Sequence, residues 1–300
     1  MEWKGKTALI TGGVSGIGFG IARAFSAAGI DLILSYRNEE YRTLAEAWFK
    51  RHARPIPRFV SLDVTDRGRW AEVAVEVGPV HILVNNAGVS VFGPTDAASF
   101  ADYDWIMGVN FGGVVNGLVT FIPRITAQGL GGHIVNVASM AAYLPGPQAG
   151  IYTASKFAVR GLTESLRFNL APHGIGVSLM CPGLTKTNAW DSALKRPADF
   201  AASGFAPADR ALLAQFGTAF DAGMDPLEVG EKTLAGMTEN RAIIFTHPEF
   251  AEDFAEIYRD CVAALPNEPA PEARLHIERL RRAAHRAAAA GKVISLEDLT

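Results

Sequence analysis

The sequence predicts an α/β fold: a doubly wound parallel sheet of about seven strands, with helices on both faces and a helical C-terminal extension. Three observations predict it. Short β-branched or Leu-rich runs alternate with longer segments of helical period, the runs are apolar throughout rather than alternating, and a glycine-rich turn follows the first of them. The runs are TALIT (7 to 11), DLILSY (31 to 36), RFVSL (58 to 62), HILVNN (81 to 86), HIVNVAS (133 to 139), GVSLMCP (176 to 182) and AIIFT (242 to 246).

The first element justifies a nucleotide reading. After the first strand comes TGGVSGIG (11 to 18), which opens a helix continuing through FGIARAFSAAG. Gly12, Gly16 and Gly18, with Ser15 and Ile17 between them, let backbone approach a pyrophosphate at a helix N-terminus, where unpaired N–H groups meet negative charge. A lone glycine-rich loop is weak evidence, but strand, turn, helix and second strand supply the context that the motif requires, and the fold becomes Rossmann-type.

The end of the second strand bears on which dinucleotide is held. It reads Ser35-Tyr36-Arg37-Asn38, with no carboxylate until Glu39. An acidic residue there would bond both ribose hydroxyls, whereas Arg37 suits a 2′-phosphate, so NADP (NADPH) is favoured and NAD remains possible.

Between the sixth strand and the seventh, residues 184–226 form a polar, Gly- and Pro-dotted stretch too long for a plain connection, expected to carry short helices as a lid or substrate loop. Residues 1–248 are thus read as a single catalytic domain. Residues 249–300 are read as a helical extension, packing on that domain or at a subunit contact. Its second helix, EARLHIERLRRAAHRAAAAG, places Ile277, Leu280, Ala284, Ala287 and Gly291 on one stripe and pairs Glu278 with Arg282.

Composition narrows the function classes. Of 300 residues, 49% are apolar and 20% charged, with a formal net charge of −3, so no basic field invites nucleic acid. Two cysteines, Cys181 and Cys261, exclude a cysteine metal cage and show no disulfide framework. The histidines lack metal-ligand spacing, and no metal site is expected. No leader-like stretch and no run of roughly 18 apolar residues is found, so a cytoplasmic protein without membrane contact is expected.

Tyr152 and Lys156, four apart, project from one helix face. Alone the pair is a common surface motif. With Asn110 in a predicted helix, and Ser139 ending a strand thirteen residues before the tyrosine, it gains meaning. The set TGGVSGIG, Asp63-Val64, NNAG (85 to 88), Asn110, Ser139, YTASK (152 to 156) and PGLTKT (182 to 187) resembles the short-chain dehydrogenase/reductase family, over residues 7 to 190 and in the family's order.

The resemblance implies four catalytic residues. Ser139 polarises the substrate carbonyl, Tyr152 exchanges a proton with its oxygen, and Lys156, together with the positive nicotinamide of the oxidised cofactor, lowers the phenol pKa and also binds the nicotinamide ribose. Asn110 holds a relaying water. For the cofactor it implies Asp63 and Val64 at the adenine, Asn86, Ala87 and Gly88 along the dinucleotide, and Pro182, Gly183, Thr185 and Thr187 at the nicotinamide, which carries the hydride. It also implies a homodimer or homotetramer.

The partner expected is a small ketone or secondary alcohol. Phe92, Met140, Tyr143, Leu144, Leu184 and Trp190 are the candidate substrate-lining residues, with few formal charges, which suits an apolar or aryl ketone better than a sugar phosphate. FGP (92 to 94), the stretch 104 to 124, HGIGVS (173 to 178), and KRP followed by SGF (195 to 205) also resemble bacterial Cα-dehydrogenases of lignin-type aryl ethers. That group is associated with NAD, and Arg37 departs from its pattern. Other readings are a cofactor-sensing protein without turnover, a reductase of acyl-carrier or other carbonyl substrates, and a longer-chain sugar-nucleotide enzyme, whose GxxGxxG differs from the GxxxGxG here.

Overall fold

The computed structural model describes residues 2–295, so residue 1 and residues 296–300 of the expected segments lie outside the described residues. All seven expected strands form: β1 (Thr7–Ile10), β2 (Asp31–Tyr36), β3 (Arg58–Ser61), β4 (Ile82–Asn85), β5 (Gly132–Val137), β6 (Ile175–Cys181) and β7 (Ile243–Phe245). They make one parallel sheet in the order β3-β2-β1-β4-β5-β6-β7.

Strand side chains alternate between two cores, as the period of two requires. Leu9, Leu83, Ile134, Val177 and Leu179 face one side with Trp70 of α3 (Arg67–Glu76), Trp105 of α4 (Phe100–Met107), Phe121 of α5 (Gly113–Ala127) and Val159 of α6 (Gly150–Leu170). Ile10, Leu34, Val84, Val135 and Met180 face the other, with Phe25 of α1 (Gly16–Ala27), Phe49 of α2 (Glu39–Arg51) and Met237 of α8 (Pro226–Thr238). Burial on both faces explains why these strands read as continuous apolar runs.

Helices α1 and α8 touch backbone to backbone. A Cβ on Gly20 would lie 1.8 Å from the Pro226 carbonyl oxygen, and one on Gly230 would lie 2.3 Å from that of Gly20, so both positions need glycine. The 28-residue helical stretch 100–127 is long and apolar enough to cross a membrane by composition, yet its Trp105, Ile106, Leu118, Phe121 and Ile125 are core residues packed with the sheet.

Residues 184–226 form the short helices expected of them: 3-10 turns at Asn188–Lys195, Ala198–Phe200 and Thr218–Ala222, and α7 (Arg210–Gly217). In the extension, α9 (Ala251–Ala263) has no buried residue. Helix α10 (Glu272–Ala289) buries Ala284 and Ala288 and sets His285 against Phe168 of α6, with 4.5 Å between ring centroids. The expected stripe holds from Leu280 onward, with Ala284 buried and Leu280, Ala287 and Gly291 half-buried, and fails at its start. Ile277 is 50% exposed, and Glu278 pairs with Arg281 at 2.9 Å rather than with Arg282.

Candidate active site

Strand order reverses between β1 and β4, and the crevice at the carboxyl ends of these strands is where an open α/β sheet binds ligands. Thr11, just past β1, organises it. Its hydroxyl accepts hydrogen bonds from the backbone N–H groups of Asn86 (2.8 Å) and Ala87 (2.9 Å), while Asn86 Nδ2 donates to the Thr11 carbonyl at 2.9 Å. The glycine turn and the NNAG turn are thereby stitched into one floor. Thr11 stood in the quoted motif without a role; its structural task shows only when β4 lies beside β1.

The cradle's shape follows from its glycines. Gly12 and Gly16 hold φ of +60° and +51°, in the left-handed region that side chains resist. A Cβ on Gly18 would sit 2.3 Å from the Gly12 carbonyl oxygen, so that position must be bare. Ser15 precedes α1 in extended conformation without a side-chain cap bond, and no acidic residue lies in the first turn. The helix start is thus left for an anion, and this geometry fits a dinucleotide pyrophosphate. Thr187 closes the far side, its Cγ2 3.3 Å from the place of a Gly16 Cβ.

Past the end of β2, Arg37 donates to Asp63 at 3.0 Å, and both side chains are nearly half exposed. Asp63 also accepts from the Thr65 backbone (2.9 Å) and hydroxyl (2.7 Å). Burial works against its charge, but the Thr65 bonds and Arg37 outweigh it and hold the carboxyl below the usual range. Asn38 caps α2, its Oδ1 accepting from Tyr41 N, and the Val64 carbonyl accepts from Trp70 and Asn116.

Beyond the carboxyl ends of β4 and β5 the four expected residues come together. Ser139 follows β5, its hydroxyl accepts from Ala141 N at 3.1 Å, and it lies close enough to the Tyr152 phenol to favour its charged form. Lys156, 5% exposed, donates from Nζ to the Val137 carbonyl at 3.2 Å and lies 5.6 Å from the Tyr152 ring centre. Asn110 sits in a π-helical turn (Gly108–Gly112) between α4 and α5, the kind of helix defect common at functional sites. Its side chain is fully engaged: Oδ1 accepts from Val89 N (2.8 Å), and Nδ2 donates to the Val89 carbonyl and Ser155 Oγ, both at 3.0 Å. Asn110 therefore ties the loop after β4 to α6 at Ser155, the residue before Lys156.

In the protein alone, burial sets the electrostatics of this pair. Burial raises the Tyr152 phenol above its ordinary value, with the Ser139 hydrogen bond only partly opposing it. The same burial brings Lys156 down to about 8. Desolvation penalises both charged forms, so in the protein alone the amine does not pull the phenol down. Cys181, buried behind them, is pushed up to about 12 and stays neutral.

Among the expected substrate-lining residues, Phe92 comes closest to the chemistry, its ring 6.3 Å from that of Tyr152 and 5.7 Å from Phe216. Trp190 packs on the Gly217 backbone, and Leu184 is 42% exposed. Met140 and Leu144 belong to the core, Met140 with only 5% exposure. Tyr143 lies in an aromatic cluster with Phe245 (5.4 Å) and Phe254 (5.1 Å), under the Arg160 guanidinium, so it braces the extension. His247 was missed altogether. Its Nδ1 accepts from Gly183 N at 3.0 Å and its Nε2 bonds the Leu184 carbonyl at 2.8 Å, fixing the loop that carries Pro182 and Thr185. Thr185 itself is buried and bonds back to the Gly183 carbonyl at 3.2 Å. Sixty-four residues separate His247 from Gly183, so no local spacing signals their contact.

Comparison with known proteins agrees with this geometry. Residues 6–197 match the short chain dehydrogenase family. The chain belongs to that family. It is 35% identical over 286 residues to C alpha-dehydrogenase of Sphingobium sp. (strain NBRC 103272 / SYK-6), covering 93% of each chain. A short chain dehydrogenase/reductase of Burkholderia phymatum, solved in complex with NAD, is 33% identical with a TM-score of 0.81, over 90% of this chain and 99% of that one. LigO of Sphingobium sp. strain SYK-6, in its apo form, is 32% identical with a TM-score of 0.76, over 95% and 98% of the two chains. As a member of this family the chain is an oxidoreductase with NAD(P)-binding relatives.

Proposed function

We propose that this chain interconverts a secondary alcohol and a ketone, with Tyr152 as general acid and base and an apolar or aryl group on the substrate. A nicotinamide dinucleotide, held by the glycine cradle and Lys156, supplies or accepts the hydride when bound. The observation that carries the reading is Tyr152 lying against the Ser139 hydroxyl, within one turn of a buried lysine, under the aromatic wall of Phe92 and Phe216. In the reductive direction Tyr152 is a neutral phenol and donates its proton to the ketone oxygen, whose growing negative charge Ser139 also meets. The relatedness to a C alpha-dehydrogenase supports an aryl alcohol. A panel of aryl and aliphatic ketones, followed by loss of nicotinamide absorbance, tests this: turnover of aryl ketones is expected, and its absence with aliphatic ketones active removes the aryl assignment.

NADP is the favoured cofactor on the strength of Arg37. An exposed ion pair contributes only about 0–1 kcal/mol, so Arg37 can leave Asp63 for a 2′-phosphate at little cost. Arg37→Ala is expected to weaken NADPH binding about tenfold to a hundredfold, the worth of a charge-assisted contact, and to leave NADH nearly unchanged. Fluorescence titration with both cofactors measures it, and equal losses would remove the preference.

The homodimer or homotetramer expected from the family is assigned to the outer faces of α4 to α6, where Phe100, Val119 and Phe157 are 88%, 71% and 41% exposed. Light scattering is expected to give a multiple of 32.1 kDa, and a Val119→Glu variant a smaller assembly.

A further inference from the structure

Asp102, in the first turn of α4, has a carboxylate with no exposed surface, a costly place for a charge unless donors surround it. Ser99 meets the ordinary need, closing a capping box through its backbone N–H and hydroxyl, both 2.9 Å from Oδ2. Three further donors arrive from far along the chain. Arg196 Nη2 and Ser203 Oγ each donate to Oδ1 at 2.7 Å, and Gly204 N donates to Oδ2 at 2.9 Å. All three belong to the substrate-side segment, where KRP and SGF were noted without a task. The Arg196 guanidinium also lies over the Trp105 ring, 4.6 Å from its centre, and is 12% exposed.

We infer that Asp102 is a positioning residue, a buried latch that fixes residues 196–205 against α4 and thereby sets the aromatic wall beside Tyr152. Contacts lead from latch to site without a gap. Gly204 passes so close to α4's approach that a Cβ there would lie 1.8 Å from the Ala97 carbonyl oxygen. The next residue, Phe205, covers Gly93, where a Cβ would fall 2.4 Å from its ring. Gly93 adjoins Phe92, whose ring stands 6.3 Å from that of Tyr152. Burial opposes the Asp102 charge, but the bonds from Ser203, Ser99 and Gly204 overcome it and hold the carboxyl at about 2. The latch therefore stays charged at any working pH.

The kinetic consequence rests on the alcohol–ketone reading, whereas the latch itself does not. Asp102→Asn, Ser203→Ala and Arg196→Met, with Arg196→Lys as the conservative control, are compared with the native chain by hydrogen–deuterium exchange and by kinetics. Exchange across residues 196–205 is expected to quicken at least about tenfold in the first three variants, with β1 and β5 unchanged. Arg196→Lys is expected to keep most of the protection. The KM for a two-ring aryl ketone such as deoxybenzoin is expected to rise about tenfold while kcat and cofactor Kd hold within about twofold. Native protection of 196–205 in the folded variants, or quickened exchange spread equally over the sheet, overturns the latch. Should Asp102→Asn fail to fold, the two milder variants decide the matter. Should the native chain turn over no ketone, the functional reading fails, and the exchange data still judge the latch.

Discussion

Tyr152→Phe is expected to lower turnover about a hundredfold to ten-thousandfold, the usual contribution of a positioned acid or base, while cofactor affinity changes little. The substitution removes one hydroxyl and leaves the ring against Phe92, so the aromatic wall is kept. Ser139 keeps its place after β5 and can still polarise a carbonyl. On the proposed function, what disappears is the proton that the ketone oxygen takes up. Because burial raises the phenol, Tyr152 is protonated at neutral pH and ready to act as the acid, and alcohol oxidation, which needs the phenolate, should speed up as pH rises. The measurement pairs single-turnover loss of NADPH with a fluorescence titration of cofactor. A chain that only senses cofactor would show no difference between the variant and the native protein, and that result would sink the enzymatic reading.

Lys156→Met is expected to abolish turnover and at the same time to raise thermal stability. The amine is buried with a single carbonyl partner, and its pKa falls from 10.5 to about 8 through burial. The sign follows from proton linkage. Below pH about 8 the native state must carry a buried ammonium that the unfolded chain keeps in water, so the cost is fully present at neutral pH. It fades as pH rises from about 8 towards 10.5, where the native amine is already neutral. The shift corresponds to about 3 kcal/mol, of which methionine, filling similar volume, should recover about half because the Val137 carbonyl loses its donor. Calorimetry at neutral pH, repeated near pH 10, checks it. The variant's advantage should shrink at the higher pH, and a constant or reversed difference would show that Lys156 is not held at a loss.

Much of this was legible because it is local. Strand positions came within one or two residues of their observed ends, since burial on both faces leaves an apolar run that helices of period 3.6 do not produce. The cradle was legible because the positive φ of Gly12 and Gly16 and the approach of the Gly12 carbonyl to Gly18 are local backbone demands. Tyr152 and Lys156 share a helix, so their neighbourhood follows from helical geometry alone.

Ser139 and Asn110 required the known motif set, because nothing in their own surroundings brings them to Tyr152. The spacing gives the proximity of Lys156 to Tyr152 but says nothing about desolvation, which leads the shift of both groups in the protein alone.

The sequence by itself determined the sheet, its helices, the glycine cradle and the Tyr152–Lys156 pair, because each depends on steric and periodic rules acting over a few residues. Only the tertiary structure decided that Asp102 gathers Arg196, Ser203 and Gly204, that His247 holds Gly183, and that Tyr143 braces the extension instead of the substrate. Those contacts join residues tens to about a hundred positions apart, and which buried polar group finds which donor is settled only when the packed chain excludes water and leaves it no other partner.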